Sequence, residues 1–137
     1  MFISYRFSGV PKEQLDRLIN PIYEWLEKNN ITVFCNYYRD DHYVENKWTT
    51  KMVMAECFEH IDKLDTVLCL IDTEKYGCGT LLEIGYALAK NKQIIVCTRK
   101  GCEIRTLMEM ATHNISYENY DELMEFIKNF YKIGITF

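Results

Sequence analysis

An α/β fold is predicted by two features of the sequence. Short runs of β-branched and aromatic residues alternate with longer amphipathic segments, which is the order of β-α-β units. The short runs are apolar almost throughout, as expected of parallel strands that are buried on both faces. With right-handed crossovers, this pattern gives a flavodoxin-like (Rossmann-like) three-layer sandwich whose five-stranded parallel sheet has the order 2-1-3-4-5. A length of 137 residues suits one domain, so we predict a single domain over residues 1–137.

The predicted strands and helices follow each other closely along the chain. The strands cover residues 2–5, 31–36, 66–72, 93–98 and 115–117. The first helix has apolar residues at three- and four-residue spacing from Leu15 to Leu26 and ends at the turn-prone pair Asn29-Asn30. The other helices cover residues 50–63, 80–90, 103–112 and 120–132.

The ligand crevice of such a sheet lies beyond the carboxyl ends of strands one and three. Residues 4–9, 36–48 and 72–83 reach that edge. The middle segment is the longest connection and is rich in aromatic and charged side chains, which suits a lid over a flat, partly charged ligand. A solvated loop whose aromatic side chains pack on the sheet edge is an equally good interpretation.

Composition excludes several classes of function. A net charge of −4 without a basic run indicates that no nucleic acid is bound. No segment approaches the about 18 apolar residues of a membrane span, and the sequence opens without a leader pattern, so we expect a soluble, cytoplasmic protein that binds no membrane. Three of the six cysteines, Cys35, Cys69 and Cys97, fall in predicted strands, where reduced thiols pack as small apolar groups. The three histidines have no ligand spacing, so we expect no metal and no other cofactor.

The segment at residues 77–87 leads from the third predicted strand into a helix. Its glycines let the backbone bend tightly and approach a ligand, and the free amides at the helix start suit an anion such as a phosphate. Glu83 is expected in the first turn of this helix, facing the crevice. On spacing alone, Thr80-x-x-Glu83 fits a capping box, in which the glutamate serves only the helix end.

The stretch from residue 65 to residue 92 resembles the signature of the nucleoside 2-deoxyribosyltransferase superfamily and its hydrolase relatives. The matching parts are the strand at 66–72, Gly79-Thr80, Glu83-Ile84-Gly85 and Lys92. The similarity extends from the opening FISYRFSG to the last helix, and several elements occur in the correct order. In that family the matching glutamate is the nucleophile, so the resemblance implies this role for Glu83.

Two branches are most similar, the 2′-deoxynucleoside 5′-monophosphate N-glycosidases and the CMP or hydroxymethyl-CMP hydrolases. The resemblance implies that Phe7 stacks on the base and that Tyr5 and Arg39 also bind the substrate. Both branches are homodimers with a shared active site. This implies that Thr106 and Met108 reach the partner's sugar or phosphate.

Two positions depart from the family pattern. Many members carry an aspartate in the helix before the third strand, where this chain has Cys57 with Glu56 beside it. The polar residue that many members carry six positions before the nucleophile is Gly77 here. Loss of both groups weakens catalysis without abolishing binding, which leaves a silent nucleotide sensor as one hypothesis.

The mechanism that we expect is that of a retaining N-glycosidase acting on a nucleoside 5′-monophosphate. Glu83 attacks the anomeric carbon and a second group protonates the departing base. Asp72 is our first candidate for this acid and Glu56 the second, although Asp72 is as well suited to capping the following turn.

We expect the phosphate to lie on the amides of the segment from Gly77 through Gly79 to Thr80, helped by Arg6 or Arg39. Arg6 is equally suited to be an ordinary surface charge. Alternative functions are deoxyribosyl transfer and, because FISYR and VFCNYYRDD also resemble TIR domains, cleavage of NAD.

Overall fold

The computed structural model describes residues 1–132 and contains one parallel sheet. The strands are β1 (Phe2–Tyr5), β2 (Thr66–Ile71), β3 (Gln93–Arg99) and β4 (His113–Tyr117). Their order in the sheet is β1-β2-β3-β4, and every neighbouring pair is parallel. All strands therefore end at the same edge, as the α/β prediction requires.

Six α-helices connect and flank the strands in the described residues. They are α1 (Lys12–Lys28), α2 (Asp40–Glu45), α3 (Thr50–Lys63), α4 (Cys78–Ala89), α5 (Arg105–Met110) and α6 (Tyr120–Lys132). A 3-10 helix at Asn36–Arg39 leads directly into α2. Most of the segment 36–48, expected as a loop, is thus helical.

The two faces of the sheet carry separate apolar cores, which makes the domain a three-layer sandwich. Ile3, Leu68 and Ile95 face α1 and α6. Their neighbours along the strands, such as Phe2 and Val67, face α3, α4 and α5. Alternate strand residues therefore serve opposite cores, and this alternation decides on which face each residue of the site lies.

The predicted five-stranded sheet of order 2-1-3-4-5 is wrong in one element, because residues 31–36 form no strand. Phe34 makes one parallel bridge to Phe2, on the edge of β1 that faces away from β2. The Ile31 amide is still bonded to the end of α1, and the 3-10 helix begins at Asn36. Too few extended residues remain between these two helical ends to build a ladder.

None of the helices in residues 1–132 combines the length and the apolar composition that a membrane span needs. Within the same residues, no group of three or more histidine, cysteine, aspartate or glutamate side chains is arranged to hold a metal ion. The predicted helix at 120–132 is found as α6, and the end of the predicted domain at 133–137 lies outside the described residues.

Candidate active site

A cleft of about 430 Å³ opens beyond the end of β1, between the 36–48 segment and the start of α3. Its lining combines aromatic, polar and sulfur-containing side chains: Tyr5, Phe7, Ser8, Asn36, Asp40, Tyr43, Val44, Lys47, Trp48, Thr50, Val53 and Met54. The cleft lies at the edge of the sheet where the sequence predicted the ligand.

Glu83 does not itself line this cleft; it is buried in α4, with only 5% of its surface exposed. Ser4 Oγ donates a hydrogen bond of 3.1 Å to Glu83 Oε2. Burial raises the pKa of the Glu83 carboxyl to about 8, and the hydrogen bond from Ser4 acts in the opposite direction. No cation among the described residues forms an ion pair with this carboxylate. A buried carboxyl without a cationic partner is costly for folding and is typical of functional sites.

Strand alternation and the start of α4 together place Glu83. Ile3 and Tyr5 face α1 and α6, so Ser4 between them faces α3 and α4. One turn before Glu83, a side chain at Gly79 would lie 4.0 Å from Glu83 Oε1 and 3.7 Å from the Met54 sulfur. The absence of a side chain at Gly79 therefore keeps the carboxylate open toward Met54, which lines the cleft.

The capping-box interpretation of Glu83 is wrong. Helix α4 begins at Cys78 with Gly77 as its N-cap, so Glu83 is the sixth helical residue and not the third. The Thr80 hydroxyl is buried and has no hydrogen-bond partner in the described part of the chain. Glu83 therefore lies beyond the first turn and binds strand β1 instead of its own helix end.

Asp72 is held by four donors and lies on the other face of the sheet. Its carboxylate accepts hydrogen bonds from Gln14 (2.8 Å), Arg99 (2.9 Å), Tyr117 (2.5 Å) and Tyr120 (2.6 Å). Burial raises its pKa, but these four hydrogen bonds together outweigh burial and hold the pKa below its usual value.

The face on which Asp72 lies follows from strand alternation. Leu68 and Leu70 face α1 and α6, and Asp72 continues that alternation away from Glu83. An ionised carboxylate on the opposite face does not suit the role of general acid that the sequence analysis expected of Asp72.

Glu56 is paired with Arg39. Arg39 Nη2 lies 2.7 Å from Glu56 Oε1, and the Tyr43 hydroxyl donates to Glu56 Oε2. Burial raises the Glu56 pKa, but the hydrogen bonds from Arg39 and Tyr43 prevail and lower it. The Arg39 guanidinium also lies over the rings of Tyr43 and Trp48, at 5.5 and 5.8 Å from their centroids. Glu56 therefore fixes Arg39 against the wall of the cleft. This pairing argues against Glu56 as the general acid and against Arg39 as the phosphate ligand.

Arg6 lies beside the start of α4. Its Nη1 atom is 3.4 Å from Thr73 Oγ1 and 3.3 Å from the Lys75 carbonyl oxygen. A side chain at Gly77 would meet the Arg6 Cγ atom at 3.6 Å. Both acceptors are neutral, so the positive charge of Arg6 faces no carboxylate of the described residues at hydrogen-bond distance.

Phe7 separates the first cleft from a second one. Its ring is 50% exposed and makes no ring contact with any other described residue. The second cleft has a volume of about 560 Å³ and is lined by Phe7, Val10, Lys12, Leu15, Asp16, Asn20, Tyr37, Tyr38, Asp40 and Asp41. An exposed, unpartnered ring between two clefts is suited to stacking on a flat ligand.

Cys57 occupies the position where the family resemblance predicts an aspartate. Its side chain is fully buried, and Asn36 Nδ2 donates to its sulfur at 3.6 Å. Burial, reinforced by the Glu83 carboxylate, raises the pKa of the Cys57 thiol to about 12. The thiol is therefore neutral next to Glu83 and adds no charge to the site.

The structure brings together only part of the predicted site. Tyr5 and Phe7 line the first cleft, and a side chain at Gly79 would lie within 4.0 Å of both Glu83 and Met54, which is part of the cleft lining. Thr106 and Met108 lie on α5, exposed and half-buried respectively, and line neither of these two clefts.

Several residues of the site carry no sequence motif that singles them out. They are Ser4, which binds Glu83, and Asn36 and Lys47, which line the cleft. The alternation of β1 was the only available signal for Ser4, since a residue between two core positions faces the opposite layer.

The fold and the site define an α/β domain that buries a glutamate beside the crevice at the strand ends of a parallel sheet. The sequence pattern of the nucleoside 2-deoxyribosyltransferase family matches residues 6–124, and the chain belongs to this family. Members of the family are enzymes that transfer or hydrolyse glycosyl groups. A search of curated protein sequences finds no match.

Two solved structures share the fold. The CMP N-glycosidase BcmB of Clostridium botulinum superposes with a TM-score of 0.70 at 21% identity, over 93% of this chain and 97% of that chain. A 2-deoxyribosyltransferase of Bacillus psychrosaccharolyticus superposes with a TM-score of 0.64 at 18% identity, over 90% of this chain and 88% of that chain.

Proposed function

We propose that the protein is an N-glycosidase that cleaves the bond between base and sugar in a nucleoside 5′-monophosphate, with Glu83 as the nucleophile. The observation that carries this proposal is the Glu83 carboxyl, buried without a cation and bonded only to Ser4 among the described residues. Membership of a family of glycosyl-transferring and glycosyl-hydrolysing enzymes supports the reaction class.

The environment of Glu83 suits a nucleophile that works when substrate is bound. A carboxylate desolvated by burial is more reactive than one in water, because water no longer has to be removed before attack. The raised pKa of about 8 means that only roughly a tenth of the empty protein carries the charge at pH 7. The ionised, reactive form therefore increases with pH.

A phosphate group fits the start of α4. The first amides of the helix, at Cys78, Gly79 and Thr80, have no partner within the helix and point toward its N-terminal end. Arg6 lies against Gly77 with its charge unneutralised, so it is better suited than Arg39 to a bidentate contact with phosphate oxygens. The CMP N-glycosidase among the similar structures is consistent with a nucleotide substrate.

The proposed reaction has two displacements at the anomeric carbon. In the first, a Glu83 oxygen forms a bond to C1′ while the bond from C1′ to the base nitrogen breaks and its electron pair leaves with the base. The base takes up a proton from water, since Asp72 and Glu56 are both held ionised. In the second, water attacks C1′, Glu83 leaves as carboxylate, and the released proton passes to solvent.

Deoxyribosyl transfer is the second candidate, because the family pattern and one of the two similar structures are those of 2-deoxyribosyltransferases. In that case another base, instead of water, attacks the glycosyl intermediate. Both functions use the same Glu83 ester and differ only in what removes the sugar.

We further propose that the active site is completed by a second copy of the chain. The cleft is open to solvent, and water competes for the phosphate and for the glycosyl intermediate unless something covers it. Helix α5 exposes Thr106 and Met110, with Met108 half-buried between them. Thr106 and the exposed Met110 lie one turn apart on the same face of α5, which suits contact with a neighbouring subunit.

The test is a substrate panel. Ribonucleoside and deoxyribonucleoside 5′-monophosphates, the corresponding nucleosides and NAD are incubated with the protein, and free base is followed by chromatography. We expect base release from monophosphates and at least about tenfold less from nucleosides, because a nucleoside lacks the charge-assisted contacts to phosphate. Equal turnover of nucleosides, or base exchange faster than hydrolysis, would favour the transferase. Binding of nucleotides without turnover would indicate a sensor, and cleavage of NAD alone a TIR-like enzyme.

A further inference from the structure

Asp40 lies where the two clefts meet. It is the first residue of α2 and, with Phe7, one of two residues that line both clefts. Its charge raises the pKa of Tyr5, which lines the first cleft, and of Tyr37, which lines the second, in each case as a smaller cause than burial. The carboxylate therefore lies within electrostatic range of both walls, and it lines the same two clefts as the exposed ring of Phe7.

The Asp40 carboxylate also has unused hydrogen-bonding capacity. It forms no hydrogen bond or ion pair with any other residue between 1 and 132. This distinguishes it from Asp72, which has four donors, and from Glu56, which is paired with Arg39. A half-buried carboxylate without a donor, beside a cleft, is able to accept hydrogen bonds from a ligand.

A base stacked on the cleft side of Phe7 would present one edge to Asp40. An ionised carboxylate accepts hydrogen bonds but donates none. It therefore binds an exocyclic amino group and repels a carbonyl oxygen at the same place. We infer that Asp40 determines base specificity by accepting a hydrogen bond from the exocyclic amino group of the base, so that cytosine is preferred to uracil. This inference rests on the proposed function, because it concerns the base of the same nucleotide.

Cytidine and uridine monophosphates are the sharpest probes, since they differ at one position where an amino group replaces a carbonyl oxygen. We expect the wild-type protein to favour CMP over UMP by about tenfold to a hundredfold in kcat/KM, and dCMP over dUMP likewise. Asp40→Asn keeps the size of the side chain and provides both a donor and an acceptor. The Asp40→Asn substitution should reduce the preference for CMP over UMP in kcat/KM to about threefold or less.

Asp41→Asn is the matched control. Asp41 is the next residue of α2, is exposed, and lines the second cleft only. The substitution removes the same charge from the same helix end, so any general effect of charge or of helix stability should appear in both variants. We expect the preference for CMP to be unchanged in Asp41→Asn.

The equilibrium binding of CMP and UMP is measured beside turnover, so that the inference and the proposed function are judged separately. If base is released but the preference is the same in wild type and Asp40→Asn, the inference fails and the proposed function stands. If nothing is released but CMP binds better than UMP, and Asp40→Asn alone abolishes the difference, the inference stands and the proposed function fails. If no nucleotide is bound or cleaved, both are overturned.

Discussion

The charge state of one residue, Glu83, is set by a balance between burial and a single hydrogen bond. Burial raises its pKa to about 8, and Ser4 opposes this with a hydrogen bond of 3.1 Å. A carboxyl whose pKa is raised in the folded protein binds its proton more tightly there than when unfolded. The stability that this tighter proton binding gives the fold is therefore fully present below the unfolded-state pKa of 4.5. It is lost as the pH rises through the folded-state pKa of about 8.

The same balance predicts the pH dependence of catalysis. If the ionised Glu83 is the nucleophile, kcat/KM should rise with pH and level off above about 8. Ser4→Ala removes the hydrogen bond that favours the charged form, so the inflection should move to higher pH and activity at pH 7 should fall by about threefold to tenfold. A pH profile of base release checks this. An unchanged inflection in a folded Ser4→Ala protein would show that Ser4 has no influence on the reacting group.

Single residues of the site were predicted with uneven success. Glu83 was singled out by its family resemblance, while spacing alone favoured a capping role that the structure contradicts. Asp72 was chosen because it ends a strand at the crevice. Its four donors come from positions 14, 99, 117 and 120, which are far apart in sequence, so no local pattern was able to reveal them.

The start of helix α4 determines how the site is assembled. This helix was predicted to begin at Thr80, but it begins at Cys78, because Gly77 takes the N-cap position without a side-chain oxygen. The shift of two residues lets Thr80 and Glu83 face the interior together. The strand predicted at 31–36 failed for a similar reason, since the helical elements on both sides extend into it.

Two glycines of α4 provide a matched test of this element. Gly85 is exposed and a side chain there meets open space, so Gly85→Ala should stabilise the fold by about 0.5 to 1 kcal/mol without changing activity. Gly79→Ala also fits, since its methyl group would lie 3.7 Å from the Met54 sulfur and 4.0 Å from Glu83. It should reduce base release by about tenfold, because the methyl group fills space between Glu83 and Met54, which lines the cleft.

Thermal denaturation and kinetics of both variants measure this difference. Equal activity of the two folded proteins would show that the side of Glu83 next to Gly79 is not the side that meets the substrate.

At the scale of the whole molecule, the Asp72 carboxylate connects much of the domain. Its four donors lie in α1, at the ends of β3 and β4, and at the start of α6, so it joins one helical layer to three strands. The three-layer architecture itself was predictable, because buried parallel strands and amphipathic helices leave a regular pattern in sequence. The network around Asp72 was not, since it depends on how distant strand ends meet.

The proposed dimer is tested by mixing two inactive variants. Met108→Arg should disrupt the contribution of α5 to the neighbouring site, and Glu83→Gln should remove the nucleophile. If subunits exchange, mixing should restore up to about a quarter of wild-type activity, because about half of the dimers are hybrids and each hybrid holds one site of two with both wild-type parts. Light scattering at the assay concentration reports the oligomeric state. A fully active monomer would refute the shared site.

The most direct test of the central claim compares wild type with Glu83→Gln at pH 8, where about half of the wild-type carboxyl is ionised. Glutamine keeps the shape and avoids the buried charge, so the melting temperature should be equal or higher. Base release from a nucleoside monophosphate should fall at least about a thousandfold, since no covalent intermediate forms. A well-folded Glu83→Gln protein that releases base at the wild-type rate would contradict the assignment of Glu83 as the nucleophile.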